Sequence, residues 1–302
     1  MDLSSIFNVG TLLNTFNTAT IVILAGLGCL MSEQAGMMCI GIDGMMTAGA
    51  FAAAVGSWYS GSWLVGVLCA VLVGLLFGCF YGVMVVRYHS DEFIIGVAFN
   101  IFAVALTTFI LRTVFLQSGS FHPATGEIKT LPYLSLGALG GTNINISLMV
   151  PVSWVLIALL QIFLYRTPYG IWLHASGEHP DSLRSVGRSP EKMKYLGSVL
   201  CGLFCGLSGA YLSLGYLSTF TENMSAERGY VAVACVIFGR SNPVLVFLAA
   251  LLFGFIDAAG MRMQGLVDPT LTAAFPYVGT ILMMVFLALR NQRKLKAKAG
   301  HS

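Results

Sequence analysis

The chain has 302 residues, of which 57% are hydrophobic and only 10% are charged, and its mean hydropathy is +0.82. Soluble globular domains carry about 25% charged residues, so this composition excludes an ordinary soluble domain and indicates a membrane protein. The net charge of +3 is small, and its distribution along the chain is more informative than its size.

Apolar stretches without charge recur along the chain, at 3–32, 44–86, 93–111, 130–165, 195–221 and 269–289. About 20 apolar residues cross a bilayer as a helix, and 44–86 is long enough for two helices that meet in a turn near Gly56–Trp63. The sequence therefore predicts an all-α fold, a polytopic transmembrane helical bundle of about eight to ten spans, some of them broken or re-entrant.

Glycines at helical spacing mark two surfaces for close helix packing. Gly74, Gly78 and Gly82 form one ridge, and Gly202 and Gly206 repeat the pattern. Because lipid supplies no hydrophobic drive between helices, small residues at this spacing predict close backbone contact.

Polar residues inside the predicted spans are functional candidates by default. Asp43 is flanked by glycines, where a helix could break and form part of a substrate site. Asn100 lies between Phe99 and Phe102, whose rings could stack on a base. We therefore mark Asp43, Phe99, Asn100 and Phe102 as a candidate substrate path. The alternatives are structural: Asp43 could cap a half-helix, and Asn100 could form an interhelical hydrogen bond.

Other charged residues near the spans have structural interpretations. Arg112 lies near the end of a span and is expected to snorkel towards the membrane surface. Asp257 has no opposite charge three or four residues away, so it is expected to be protonated or paired across helices. Glu227 and Arg228 adjoin a glycine and are expected to form an ion pair at a helix break.

Lys and Arg residues concentrate in two segments, 166–194 and 290–302, which the positive-inside rule places in the cytoplasm. An even number of crossings must then separate them. Residues 117–146 become an external loop, and the side of the N-terminus stays open. Four crossings fit between the two basic segments: about 195–217, 226–240, 243–262 and 271–290, of which the second is predicted to be broken or re-entrant.

The segment 166–194 is soluble in character although apolar runs flank it on both sides. Pro180 fits the first turn of a short amphipathic helix and Gly187 fits its left-handed stop, with Leu183 and Val186 on one face. Ser189, before a proline, predicts the start of the next helix. From the residues alone, a solvated loop and a docking helix explain this segment equally well.

Several motifs of enzymes are absent from the sequence. It contains no GxxxxGK[ST] loop for ATP, no HExxH and no GxSxG. The seven cysteines lie in apolar stretches without CxxC spacing, which predicts reduced thiols and no metal site. The sequence therefore predicts a protein that is not an enzyme, and ATP-driven transport would need a separate ATPase.

Three blocks of sequence, spread over nearly the whole chain, resemble permease subunits of ABC importers for simple sugars, nucleosides and branched-chain amino acids. The first and third are most similar to nucleoside-type permeases. The first block holds Glu33-Gln-Ala-Gly36, Ile40-Gly-Ile-Asp-Gly-Met-Met46 and Gly49-Ala-Phe51, the second Thr167-Pro-Tyr-Gly170, Ala175-Ser-Gly-Glu178, Gly187 and Gly202-Leu-Phe-Cys-Gly-Leu-Ser-Gly-Ala210, and the third Glu227-Arg-Gly-Tyr230, Ala232-Val-Ala234 and Phe238-Gly-Arg-Ser-Asn-Pro243.

The resemblance implies one transmembrane permease domain over 1–302 in the inner or plasma membrane, with a cytoplasmic coupling region at 166–194 and a cytoplasmic tail at 290–302. In this family a coupling helix, here about 180–187, docks into a groove on a cytoplasmic ATPase. By position, the candidate contacts with the ATPase are Glu178, Asp181, Arg184, Gly187 and Arg188.

The same resemblance implies the partners. ATP and Mg²⁺ would bind to the ATPase and not to this chain. A second permease chain, identical or different, and an extracytoplasmic solute-binding lipoprotein complete the importer, and no nucleic acid is expected. The implied solute is a nucleoside or nucleoside-like molecule, with a simple sugar or a riboflavin-like solute as the alternative. An ATP-independent secondary transporter is the alternative from another class.

The sequence departs from the family at positions that bear on substrate and coupling. Gln34 stands where a basic residue is usual, Cys39 where asparagine is frequent, and Asp43 where glutamate is frequent. His174 replaces an arginine that is common near the start of the coupling region. The implied architecture is compatible with these changes, whereas the solute and the details of coupling are not fixed by the resemblance.

Overall fold

The structure is a computed structural model, which describes residues 9–122, 127–139 and 142–263. Within these ranges, two π-helical turns extend helices of the bundle, at Val83–Arg87 and at Leu212–Tyr216. The α-helices in these ranges are α1 Val9–Gln34, α2 Ile42–Ser60, α3 Trp63–Gly82, α4 Glu92–Thr113, α5 Met149–Arg166, α6 Pro168–Glu178, α7 Pro180–Ser185, α8 Pro190–Tyr211, α9 Arg228–Phe238 and α10 Pro243–Met263.

The predicted all-α polytopic bundle is confirmed. Within the described residues, six helices are long and apolar enough to cross a membrane, namely α1, α3, α4, α5, α8 and α10. Helix α2 has 19 residues and is enclosed by its neighbours, and α9 has only 11 residues. The predicted span 271–290 and the tail 290–302 lie outside the described residues.

The centre of the bundle is formed by α1 and α2, whose side chains are buried nearly all round. Helix α1 packs on α8 and α10, and α2 packs on α3 and α8. The surrounding helices are apolar on their outer faces as well, as expected of helices that meet lipid. On α3, for example, exposed leucines follow one another every fourth residue, at Leu64, Leu68, Leu72 and Leu76.

The connections meet at two opposite ends. We call one the basic end: it contains Gln34, 87–92, 166–194 and 240–242, and side-chain hydrogen bonds of Gln34 join α1 to both His174 and Ser241. The other, the hairpin end, contains 60–62, 114–122, 127–139, 142–148 and 217–222. The predicted turn near Gly56–Trp63 lies here, since α2 stops at Ser60 and the next residue adopts φ 66°.

The described parts of the predicted external loop, 117–122, 127–139 and 142–146, lie at the hairpin end and contain β-structure that we did not predict. Strand β1, Ser120–Phe121, pairs antiparallel with β4, Phe220–Thr221. Strands β2, Tyr133–Leu139, and β3, Thr142–Ser147, pair antiparallel with Tyr133 opposite Ser147. The signal for a hairpin is present in the sequence, because two glycines separate runs in which apolar and polar residues alternate.

Candidate functional site

Asp43 joins the beginnings of two helices inside the bundle. It lies in the first turn of α2, and its carboxylate accepts hydrogen bonds from the Ser225 hydroxyl at 2.8 Å and from the Gly229 amide at 3.1 Å. Thr47 donates to the same Ser225 hydroxyl at 2.9 Å. The amides at the start of a helix carry positive partial charge, so the buried carboxylate stabilises the N-terminus of α9.

Asn100 uses both ends of its amide to bridge three elements. Its Oδ1 accepts from the Gly44 amide at 2.7 Å, in the first turn of α2, where backbone donors have no partner within the helix. Its Nδ2 donates to the Ile40 carbonyl at 3.1 Å and to the Tyr230 hydroxyl at 2.9 Å. Asn100 therefore fixes α4 to the starts of α2 and α9.

The two phenylalanines of the candidate substrate path lie in different surroundings. Phe99 is buried, and its ring contacts the rings of Phe77, Phe80 and Tyr81. Phe102 is 56% exposed on the outer face of α4. The structure thus brings Asp43, Asn100 and Phe99 together around the first turn of α2 and places Phe102 outside that group.

Arg228 forms an ion pair that differs from the one expected from the sequence. It pairs with Asp257 of α10 at 3.7 Å, and its guanidinium lies 5.9 Å from the centre of the Tyr216 ring. Arg228 begins α9 and its side chain reaches Asp257 of α10, whereas the expected pair with Glu227 stays a prediction. Of the two expectations for Asp257, pairing across helices is the one that the structure has.

Arg112 also has a partner that we did not predict. Its guanidinium donates to both carboxylate oxygens of Glu222, at 3.2 and 3.1 Å, instead of snorkelling alone. The β1–β4 pairing brings Glu222 back beside α4, where the Gly119 amide also donates to the carboxylate at 3.2 Å. These two donors lower the pKa of the Glu222 carboxyl.

The predicted coupling region 166–194, called the coupling segment below, contains the short helix that the sequence predicts. Helix α7 begins at Pro180, and Gly187 follows its end with φ 77°. The Gly187 amide donates to the Arg184 carbonyl at 2.9 Å and the Arg188 amide to the Leu183 carbonyl at 3.1 Å, which is the hydrogen-bond pattern of a Schellman stop. Ser189 precedes α8 as predicted, but its hydroxyl forms no capping hydrogen bond.

A second helix in this segment, α6, was missed from the sequence. Thr167 precedes it, and its hydroxyl accepts from the Gly170 amide at 3.3 Å, while Pro168 occupies the first turn. A capping residue followed by proline is a signal for a helix start that we could have used. Helices α6 and α7 follow each other directly at the basic end, and His179 joins them.

The charged candidates of the coupling segment are exposed, and several are already paired with each other. Arg184 binds Glu191 at 2.8 Å and Asp181 at 3.5 Å, and Glu191 raises the pKa of the Arg184 guanidinium. Glu178 lies 3.5 Å from His174, and the guanidinium of Arg188 lies 4.1 Å from the centre of the Trp172 ring. The surface around α7 therefore mixes both signs of charge.

Leu183 and Val186 do not share a face, contrary to the prediction. Leu183 is buried against the bundle, whereas Val186 is 74% exposed. The helix ends at Ser185, so Val186 no longer follows the helical spacing that would place it beside Leu183. Val186 instead presents an apolar side chain to the outside, among the charges of the coupling segment.

A polar cleft of about 370 Å³ lies at the basic end, between α7 and the connection from α3 to α4. Helix α7 and this connection are therefore neighbours, and a protein that covered α7 would contact both. The charged and titratable residues that line the cleft are His89, Glu92, Arg184, Glu191 and Lys194.

Comparison with known protein families gives one match over most of the chain. Residues 11–288 match the family model described as branched-chain amino acid transport system, permease component. No solved structure matches the chain.

Three relatives cover most of the chain and are themselves mostly covered by it. A candidate glucose ABC transporter permease of Haloferax volcanii is 29% identical over 95% of this chain and 94% of its own length. The guanosine ABC transporter permease of Bacillus subtilis is 29% identical over 78% and 77%. A nucleoside ABC transporter permease of Lactococcus lactis is 27% identical over 88% of both chains.

These matches confirm the predicted class and exclude the alternative of an ATP-independent secondary transporter. They cover the first turn of α2, the coupling segment and α9, which are the parts that carry the sequence resemblance. The chain is a multi-pass membrane protein and a permease subunit of an ABC transporter, and it belongs to the family of branched-chain amino acid transport system permease components.

Proposed function

We propose that this chain forms the membrane path of an ABC importer for nucleosides, with the basic end in the cytoplasm and α7 docked on a separate ATPase subunit. The observation that carries the proposal is the pair of consecutive helices α6 and α7, a charged and exposed element attached to an otherwise apolar bundle. ATP and Mg²⁺ would bind to the ATPase, and this chain would change between outward-facing and inward-facing states.

The geometry of α7 suits a docking element. Its buried Leu183 attaches it to the bundle, while Arg184, Val186 and Arg188 face outwards. The proline at the start of α7 and the Schellman stop at its end limit fraying of the helix. A force on α7 would therefore displace the helix as a unit. Glu178, Asp181 and Gly187 complete the proposed contact surface.

The proposed solute is a nucleoside because two relatives with similar coverage are named for guanosine and for nucleosides. A simple sugar is the second candidate, since the relative from Haloferax volcanii is named for glucose. Asp43, Asn100 and Phe99 are the candidate path residues nearest to each other, although the polar atoms of Asp43 and Asn100 already bind backbone and side-chain groups.

The proposed assembly has two permease chains, identical or different, two ATPase domains and an extracytoplasmic solute-binding lipoprotein at the hairpin end. The family membership supports partners of these kinds in general. Equilibrium binding of labelled guanosine, adenosine and glucose to the lipoprotein would identify the solute. Binding of glucose alone would replace the nucleoside by a sugar and leave the transporter class unchanged.

Charge reversal tests the docking surface. In the double variant Arg184→Glu/Arg188→Glu, we expect uptake and solute-stimulated ATP hydrolysis to fall about tenfold, corresponding to a loss of about 1.4 kcal/mol of docking free energy. The variant should still insert into the membrane, because both side chains are exposed. Co-purification of the ATPase with the permease measures the docking directly.

Lys129→Glu is the control for ATPase binding, since it reverses an exposed basic residue at the opposite end of the bundle. It should leave ATPase binding at the level of the unmodified protein. Full binding of the ATPase by the double variant, with normal uptake, would contradict docking through α7.

A further inference from the structure

Gln34, the last residue of α1, connects three elements at the basic end. It is buried, and its Nε2 donates to the Ser241 carbonyl at 2.8 Å, in the connection between α9 and α10. Its Oε1 lies 2.5 Å from Nδ1 of His174 in α6. The amide of Gln34 thus contacts both α6, which leads directly into α7, and the connection that follows α9.

The chemistry of these contacts fixes the direction of both hydrogen bonds. A backbone carbonyl only accepts, so the NH₂ group of Gln34 must face Ser241 and the amide oxygen must face His174. Nδ1 of His174 therefore carries the proton and donates it to Gln34. Neither a carboxylate nor a methionine at position 34 could make both contacts.

Helix α6 also packs directly on the connection 35–41 between α1 and α2, which we call the corner. The Ser176 hydroxyl donates to the Ala35 carbonyl at 3.1 Å. Gly36 and Gly177 meet so closely that a Cβ on Gly36 would lie 2.7 Å from the Cα of Gly177. A displacement of α6 therefore reaches this corner through backbone contact as well as through the Gln34 side chain.

Residues on either side of this corner, in α1 and α2, also bind the two ends of α9. Asp43 binds the amide of Gly229 at the start of α9, and Gln34 binds the carbonyl of Ser241 just beyond its end. Arg240 and Ser241 both have left-handed backbones, with φ of 49° and 58°. Non-glycine residues adopt this conformation only where the surroundings enforce it, so the carbonyl that Gln34 binds belongs to a constrained connection.

We infer that Gln34 is the positioning residue that transmits movement of α6 and α7 to the short helix α9. The inference rests on the proposed docking of α7 to an ATPase. Movement of α7 would displace α6, His174 would move with it, and Gln34 would pass the displacement to Ser241 and the end of α9. Gln34 and His174, two positions at which this chain departs from its family, are thus direct partners.

The test is the number of ATP molecules hydrolysed for each guanosine imported, measured with the complete transporter in proteoliposomes. Gln34→Met removes both hydrogen bonds at similar volume, and we expect the ratio to rise about 2- to 30-fold while ATP hydrolysis continues. Gln34→Glu keeps an acceptor for His174 and loses the donor for Ser241. His174→Ala leaves Gln34 its bond to Ser241 and removes its bond to α6, together with the 3.5 Å approach of His174 to Glu178. Each of these single-contact variants should also raise the ratio.

Gln161→Met is the matched control, the same replacement in α5, where the Gln161 Oε1 accepts no hydrogen bond from any residue that the structure describes. It should leave the ratio unchanged. If Gln34→Met does not accumulate in the membrane, the two single-contact variants decide the question. If the wild-type transporter couples ATP hydrolysis to import and the Gln34 and His174 variants leave the ratio unchanged, this inference alone is overturned. If the wild type hydrolyses ATP without importing guanosine, the proposed function is overturned.

Discussion

Gly78 of α3 and Gly202 of α8 meet backbone to backbone. A Cβ on Gly78 would lie 3.0 Å from the Cα of Gly202 and would overlap the carbonyl oxygen of Ser198. Helices approach this closely only where neither has a side chain at the contact, and such contacts supply much of the association energy of membrane helices. The position of α8, which follows the coupling segment, therefore depends on α3.

Gly78→Leu should separate α3 from α8 and destabilise the bundle by at least about 1–3 kcal/mol, the usual cost of forcing extra volume into a packed contact. Thermal unfolding of the purified permease in detergent measures the effect. Cys79→Leu is the control, because the neighbouring Cys79 is exposed and should change stability by less than about 0.5 kcal/mol. Equal stability of the two variants would contradict the close contact.

The sequence does not show that α3 and α8 are neighbours, but the glycines at helical spacing made it predictable that each of them packs closely against another helix. The same holds for α7, where a proline and a glycine mark the two ends of a helix. In both cases a local pattern determines a local structure, and the pattern does not depend on any residue far along the chain.

The partners of isolated charges were not predictable in this way. Arg112 binds Glu222 and Arg228 binds Asp257, and in each pair the two residues belong to separate elements that only the fold brings together. The sequence shows that such a charge needs a partner, but several carboxylates satisfy that need equally well. Asn100 is a similar case, since its three partners come from the start of α2 and from α9.

The Arg228–Asp257 pair makes a second prediction. Arg228 places a cation at the positive end of α9, which is unfavourable unless an anion lies nearby. Asp257→Asn removes that anion and should destabilise the permease by up to about 3 kcal/mol, since both side chains are mostly buried. The double variant Arg228→Gln/Asp257→Asn should be more stable than Asp257→Asn alone, because no unpaired charge remains.

A double-mutant cycle on thermal unfolding measures the coupling between these two residues. Asp181→Asn serves as the control for the same chemical change, because Asp181 is 93% exposed beside Arg184 and such pairs contribute little. Strict additivity of the effects at positions 228 and 257 would show that the two charges do not stabilise each other.

Leu183 and Val186 allow the attachment of α7 to be tested separately from its proposed docking on an ATPase. Leu183→Ala should cost about 2–4 kcal/mol of local stability, because the side chain is buried against the bundle. Val186→Ala should leave the stability of the permease unchanged and weaken ATPase binding about tenfold, since an exposed apolar side chain gains most when a partner covers it. Thermal unfolding of the permease alone and titration with purified ATPase distinguish the two effects. ATPase binding that is unaffected by Val186→Ala would place this valine outside the interface and leave the charged side chains of α7 as the contact.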